Sequence, residues 1–320
     1  MGKKASDKTN ALQKNPWGAV KWLFTRTFIL YFCLFWILFS VSDVKQVIYQ
    51  MRLTTLNRLR PNFDYLVSAM TEEKDIDRKR IEKYLFYFKS ILDVVGPRAD
   101  VYGLLGYCYG LLGENQKAIE FYQKAEALNP RFFWFHYNLA TLYFRENRYK
   151  EALGEARLSL QQGTIDDNLN FIYKSYRVYL PIIAVSGDNL QQTITGQLKR
   201  GYFNIYLLMI LSPYYMNDFP LMLQSVNDVL PKEIGSDAHF YFLAGVALYN
   251  LNDYERSIVF LQNTLNKDDK SWEAYDYLAM NLEAMGKAEL ARGMKEQGQI
   301  MKNFDNRSYL NKNYIKLFHY

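Results

Sequence analysis

The feature that most constrains this chain is that it repeats itself. Residues 101–130, VYGLLGYCYGLLGENQKAIEFYQKAEALNP, align with residues 135–163 at an offset of 34, which superposes Leu105 on Leu139, Gly106 on Ala140, Tyr109 on Tyr143 and Ala118 on Ala152. The phase returns at residues 243–265 and 277–294, where the same offset places Gly245 on Ala279, Leu248 on Leu282 and Ser257 on Ala291. A weaker copy at 207–231 precedes these by 35 residues. Within each copy the apolar residues recur at helical spacing on either side of a short polar turn, such as Gly113-Glu114-Asn115 or Asn252-Asp253. The pattern predicts paired antiparallel helices. Small residues on the first helix (Gly106, Ala140, Gly245, Ala279) and the second (Ala118, Ala152, Ser257, Ala291) let the two approach closely. No pair buries its apolar face alone, so units stack.

The copy at 99–132 carries Tyr102, Leu105, Gly106, Tyr109, Ala118, Tyr122, Ala125 and Pro130 at the positions where the tetratricopeptide repeat (TPR) family places its signature residues. The chain resembles that family over about 170 residues, with units beginning near 99, 133, 203, 238 and 272. The resemblance implies an all-α fold, a right-handed α-solenoid of helix-turn-helix repeats. Residues 167–202 miss the signature, and Pro181 interrupts them. They read as a degenerate pair. The expected organisation is a basic tail (1–21), a membrane-spanning helix (22–42), a juxtamembrane connector and capping helix (43–97), a solenoid (98–303, repeats near 99–132, 133–166, 167–202, 203–237, 238–271 and 272–303) and a C-terminal tail (304–320). The tail ends on Tyr314, Ile315, Leu317, Phe318 and Tyr320. It either docks in a groove, its own or a partner's, or forms a last helix that caps the stack.

The anchor is expected at Trp22 to Ser42, a run of aromatic and aliphatic residues with one charge, Arg26. A helix of that length matches a hydrocarbon core of roughly 30 Å, which makes the bilayer an expected partner. A cleaved signal peptide ending at Ser40 or Ser42 is the rival reading. The net charge of +6 is concentrated here: residues 1–60 hold ten Lys/Arg and two acids, whereas the remainder is slightly acidic. A body of that balance lacks the footprint of a nucleic-acid binder. Basic residues on the N-terminal flank favour a cytoplasmic N-terminus and an extracytoplasmic repeat domain. Met1-Gly2-Lys3-Lys4-Ala5-Ser6 also fits an N-myristoylation pattern.

Nothing in the chain spells out catalysis. His136, His239 and His319 have no ligand-like spacing, Cys33 and Cys108 form no framework, and the run Gly103, Gly106, Gly110, Gly113 has helical intervals with no strand before it. No catalytic residue, cofactor or metal is expected, and the chain is not read as an enzyme. The TPR resemblance instead implies a concave groove lined by the first helices, with Tyr107, Trp134, Tyr137, Phe144, Tyr214, Phe242 and Tyr249 as partner-binding residues. The Lys/Asn pattern of carboxylate-clamping family members is absent, with Gly103 and Tyr107 in its first two places. The groove is aromatic at the start and acidic at the end, where Glu273, Asp276 and Glu283 lie. An exposed aromatic stripe of this kind points to a protein partner. The expected function is a membrane-anchored scaffold or adaptor for protein–protein interaction. The alternative is a structural subunit of a larger membrane complex that self-assembles through its repeats.

Overall fold

In the computed structural model, which describes residues 16–40, 42–62, 65–66, 76–162, 187–312 and 315–317, the described secondary structure is helical. Two compact units divide at Arg60 and Pro61. The first contains α1 (Pro16–Ser40) and α2 (Ser42–Arg58). The described side chains of α1, from Lys21 to Ile37, are exposed throughout; Phe28, Phe32 and Trp36 stack along one side, and the Arg26 guanidinium lies 4.1 Å from the Trp22 ring centroid.

The expectation of a single-pass anchor at 22–42 is corrected here. Among the described residues no helix is long and apolar enough to cross a membrane. Lys21 and Arg26 both fall in α1, and the uncharged part of the helix after Arg26, residues 27–40, is fourteen residues long. That is about 21 Å of helix against roughly 30 Å of hydrocarbon. The bilayer as a partner and the assignment of the two chain ends to opposite sides of a membrane fall with it.

The second unit is a run of helices. It begins with α3 (Arg78–Val95), whose N-cap Asp77 accepts from the Arg80 backbone N–H and whose buried stripe includes Tyr84, Phe88 and Ile91. Then come α4 (Ala99–Leu111) with α5 (Asn115–Leu128), and α6 (Phe133–Arg145) with α7 (Tyr149–Gln161). After a gap in the described residues follow α8 (Gly187–Tyr215) with α9 (Phe219–Val229), α10 (Ala238–Asn250) with α11 (Tyr254–Lys267), and α12 (Trp272–Ala284) with α13 (Ala288–Phe304). Helix α8 runs unbroken through residue 203, where a unit was expected to begin. Pro181 and most of the degenerate pair lie outside the described residues.

The repeat phase is written in the backbone. All five pairs turn through one left-handed residue, Gly113, Asn147, Asn217, Asn252 or Gly286, with φ between 57° and 75°. The N–H that follows each of them bonds back to a carbonyl five residues earlier: Glu114 to Tyr109, Arg148 to Tyr143, Asp218 to Pro213, Asp253 to Leu248 and Lys287 to Leu282. This is the Schellman closure, which satisfies the helix-end carbonyls and which Gly and Asn adopt most readily. Close approach within a pair uses the small residues. A Cβ at Gly106 would stand 2.8 Å from the Tyr122 ring and one at Gly245 would stand 2.7 Å from Leu261. Ala118, Ala140, Ala152, Ser257, Ala279 and Ala291 are fully buried.

First and second helices differ in burial. In α6 every residue from Phe133 to Phe144 is buried, whereas α7 buries only Ala152, Leu153, Ala156 and Ser159. A helix apolar all round has neighbours on all sides. For the first helices, part of that cover is the C-terminal segment of the chain itself.

Candidate functional site

After α13 the chain turns back at Asp305 and runs across the first helices in reverse order, from α12 to α4. Its contacts begin where the Trp272 indole N–H, at the start of α12, donates to the Arg307 carbonyl at 2.8 Å. One residue along α12, Glu273 accepts from the Ser308 hydroxyl at 2.7 Å and from the Tyr309 backbone N–H at 2.6 Å. The Tyr309 ring lies 4.3 Å from His239 and 5.3 Å from Phe242, both on α10, and its hydroxyl donates to the Asp268 carboxylate. His239 Nε2 donates to the Tyr309 carbonyl at 2.9 Å. A carbonyl only accepts, so this nitrogen carries the proton.

The next contacts are made at the end of α8 and along α6. The Tyr215 hydroxyl donates to the Leu310 carbonyl at 2.7 Å, the Arg145 guanidinium to the Ile315 carbonyl at 3.3 Å, and the Tyr137 hydroxyl to the Lys316 carbonyl at 2.8 Å. Tyr137 in turn accepts from the Asn204 side-chain amide at 2.9 Å. Ile315 and Leu317 are buried, and Leu317 sits over Gly110 of α4, where an added Cβ would meet its Cδ1 at 2.4 Å. Five carbonyls of the docked segment, which turns at Tyr309 and Leu310, thus accept from five groove side chains. A face that satisfies main-chain groups in this way can hold a polypeptide segment regardless of much of its sequence.

Burial shapes the electrostatics. It lowers the His239 pKa despite the Tyr309 carbonyl, which keeps the imidazole neutral. It raises the Glu273 carboxyl even though Ser308 and Tyr309 hydrogen-bond to it. Burial, with Tyr214 and Tyr149 nearby, pushes the Tyr215 hydroxyl up to about 12, so it remains a donor at neutral pH.

Of the aromatics expected in the groove, Tyr137, Phe144 and Phe242 touch the docked segment. Trp134 is buried against Phe133 and against Gly201 of α8, and Tyr107 is buried within α4. Tyr214 and Tyr249 are half-buried among Tyr215, Tyr277 and Tyr254. Sequence reasoning missed Trp272, Tyr215, Arg145 and Asn147. They stand at helix ends and in a turn, outside the periodic positions that mark a groove.

A second polar group lies away from this face. Glu126 (α5), His136 (α6) and Glu155 (α7) place one ligand-type atom each within 4.8 Å of one another. His136 Nε2 meets the Pro130 carbonyl at 2.8 Å and Nδ1 meets Glu155 at 2.8 Å. Burial lowers the His136 pKa, but the bonds to Glu155 and Pro130 outweigh it and the net shift is upward. A carbonyl and a carboxylate both accept, so when the ring is protonated both its nitrogens donate and it ties three helices together.

Comparison with known proteins bears on the repeats. Residues 99–132 match the tetratricopeptide repeat family model. Residues 99–132 are a TPR unit. No curated protein matches the chain. Among solved structures the chain is similar to YrrB, described as a TPR protein with an unusual peptide-binding site, at 15% identity over 68% of this chain and 94% of that one, with a TM-score of 0.48. It is similar to the MamA protein at 11% identity over 65% and 93%, TM-score 0.48. Pseudomonas aeruginosa pilF is similar at 12% identity over 84% and 97%, TM-score 0.47. The TPR unit at 99–132 corresponds to α4 and α5, and its Gly110 receives Leu317.

Proposed function

We propose that the chain is a protein-interaction scaffold whose first-helix face binds a segment of a partner protein. The observation that carries this reading is the set of side-chain donors, Trp272, His239, Tyr215, Arg145 and Tyr137, aimed at main-chain carbonyls of the docked segment. TPR units serve protein–protein contact as a class, and the donor array supports this face as the one that would make it. Fluorescence anisotropy with a panel of labelled peptides, on a chain ending at Phe304, tests it. Binding that falls at least about tenfold in the Tyr137→Phe/Tyr215→Phe double variant, with helicity retained, is expected for two lost hydrogen bonds. An open face that takes no peptide overturns the reading.

Self-assembly is a second reading, and a different observation favours it. The described part of α1 exposes Leu23, Phe24, Phe28, Leu30, Tyr31, Phe35 and Trp36, each by half or more of its surface. An apolar surface of that extent is a contact site for another protein surface. Sedimentation of the full chain beside one beginning at Asp43 decides it: equal masses for the two would remove α1 from any assembly.

A further inference from the structure

The docked segment places the ammonium of Lys312 in an enclosure that no single repeat contains. Phe144 from the end of α6, Tyr149 from the start of α7 and Tyr215 from the end of α8 form a triangle of rings whose centroids are 5.4 to 5.6 Å apart. The Lys312 nitrogen stands 4.1 Å from the Tyr215 centroid, 4.9 Å from that of Tyr149 and 6.0 Å from that of Phe144. It donates to Asn147 Oδ1 at 2.7 Å and to the Tyr149 hydroxyl. The Tyr149 hydroxyl donates its own proton to Asn147 Oδ1 at 2.7 Å, which turns its lone pairs toward the ammonium. Ring faces attract a cation through their quadrupole, and two oxygen acceptors favour the compact ammonium over a planar guanidinium.

A tyrosine pocket lies three residues upstream. There Tyr309 is held by His239, Phe242 and the Asp268 carboxylate, with Glu273 on its backbone N–H. We infer that this face is a lysine-reading groove, and that the partner segment it takes is a stretch of another protein carrying a tyrosine and, three residues later, a lysine, with a turn between them as in the tail. This rests on the peptide-binding reading above and adds the side chains that would be read. Residues 305–317 then act as a cis ligand that the partner displaces. Three features support that occupant. Asp268 and Glu273 accept from the hydroxyl and the main-chain N–H of the tyrosine, groups that a partner's tyrosine would equally present. The tail shows the register in which such a segment lies. Each helix pair closes its own turn, so the tail can leave without opening the repeats.

A tethered ligand competes at an effective concentration in the millimolar range, so a free peptide binds weakly until the tether is loosened. The test uses the full chain carrying Tyr309→Ala/Lys312→Ala, which leaves the groove residues intact, and a labelled peptide of residues 305–317. This variant is expected to bind the peptide at least about tenfold more tightly than the parent chain does. Replacing the lysine at position 312 of the peptide by norleucine keeps the apolar stem and removes the charge, and should weaken binding about tenfold. Adding Tyr215→Leu to the protein should abolish the difference between the two peptides, an effect that general loosening of the fold would not produce. If lysine and norleucine peptides bind equally to the tail-weakened chain, the cage reading is overturned while peptide binding stands. If neither binds, the peptide-binding reading itself fails. A tail-weakened chain that dimerises on size exclusion and refuses the peptide assigns the face to a second copy, and overturns the partner inference.

Discussion

The hydroxyl of Tyr137 donates to the main-chain carbonyl of Lys316 across 179 residues of sequence, and the same oxygen accepts from the amide of Asn204. One phenol thus links α6, α8 and the C-terminal segment. Tyr137→Phe keeps the ring, removes the donor and leaves the buried Asn204 amide without this acceptor. The expected loss is about 1–2 kcal/mol. Urea unfolding measures it, and hydrogen exchange at residues 315–317 should speed up before any exchange in α6 does.

Two glycines on one helix should behave differently when given a methyl group. At Gly106 the new Cβ meets the Tyr122 ring at 2.8 Å, inside the packed pair, so Gly106→Ala should cost about 1–3 kcal/mol of global stability. At Gly110 it meets only Leu317 within the tight range, at 2.4 Å, with Ala118 at an ordinary 3.8 Å. Gly110→Ala should therefore expel the end of the tail and leave the thermal transition of the repeats nearly unchanged. Limited proteolysis beside calorimetry separates these outcomes, and equal destabilisation by both would contradict this account of the groove.

The turn residue Asn147 combines two roles, a left-handed φ of 60° and an acceptor for Lys312. Asn147→Gly preserves the first and deletes the second. Body stability should stay within about 0.5 kcal/mol, because glycine takes that conformation without steric cost. Tail protection should drop. Asn252→Gly, at the same turn position in a later unit with φ 61°, is the control that should leave the tail protected.

His136 supplies a pH dependence of definite sign. Its folded pKa is raised above the ordinary 6.5 by Glu155 and the Pro130 carbonyl, against the opposing effect of burial, with Glu126 also facing it. The folded state binds the proton more tightly, so this stabilisation is complete below 6.5 and is lost as pH rises through the folded value. His136→Gln should remove it. The stability gap between parent and variant, read by urea unfolding from about pH 5.5 to 9, should be widest at the acid end and close toward the basic end. A gap that widens with pH would overturn the assignment of an imidazolium.

The helix pairs were legible in the sequence because their causes are local. Apolar spacing, small residues at 106, 118, 140 and 152, and Gly or Asn in the turns act within one 34-residue unit, and the backbone reproduces that period in its left-handed residues. The groove was legible only in part. Tyr137, Phe144 and Phe242 lie at periodic positions on first helices, whereas Trp272, Arg145, Asn147 and Tyr215 lie at helix ends, where periodicity carries no signal. The run at 22–42 misled: among the described residues no helix is long and apolar enough to cross a membrane.

What the sequence determined by itself is the repeating helical pair, since each pair forms from contacts among neighbours in the chain. The tertiary structure decided the rest of the site. A tail of this kind has no period of its own, and its partners lie 35 to 207 residues away on alternate helices, so its place was fixed only once the stacked repeats had brought those groups to one face.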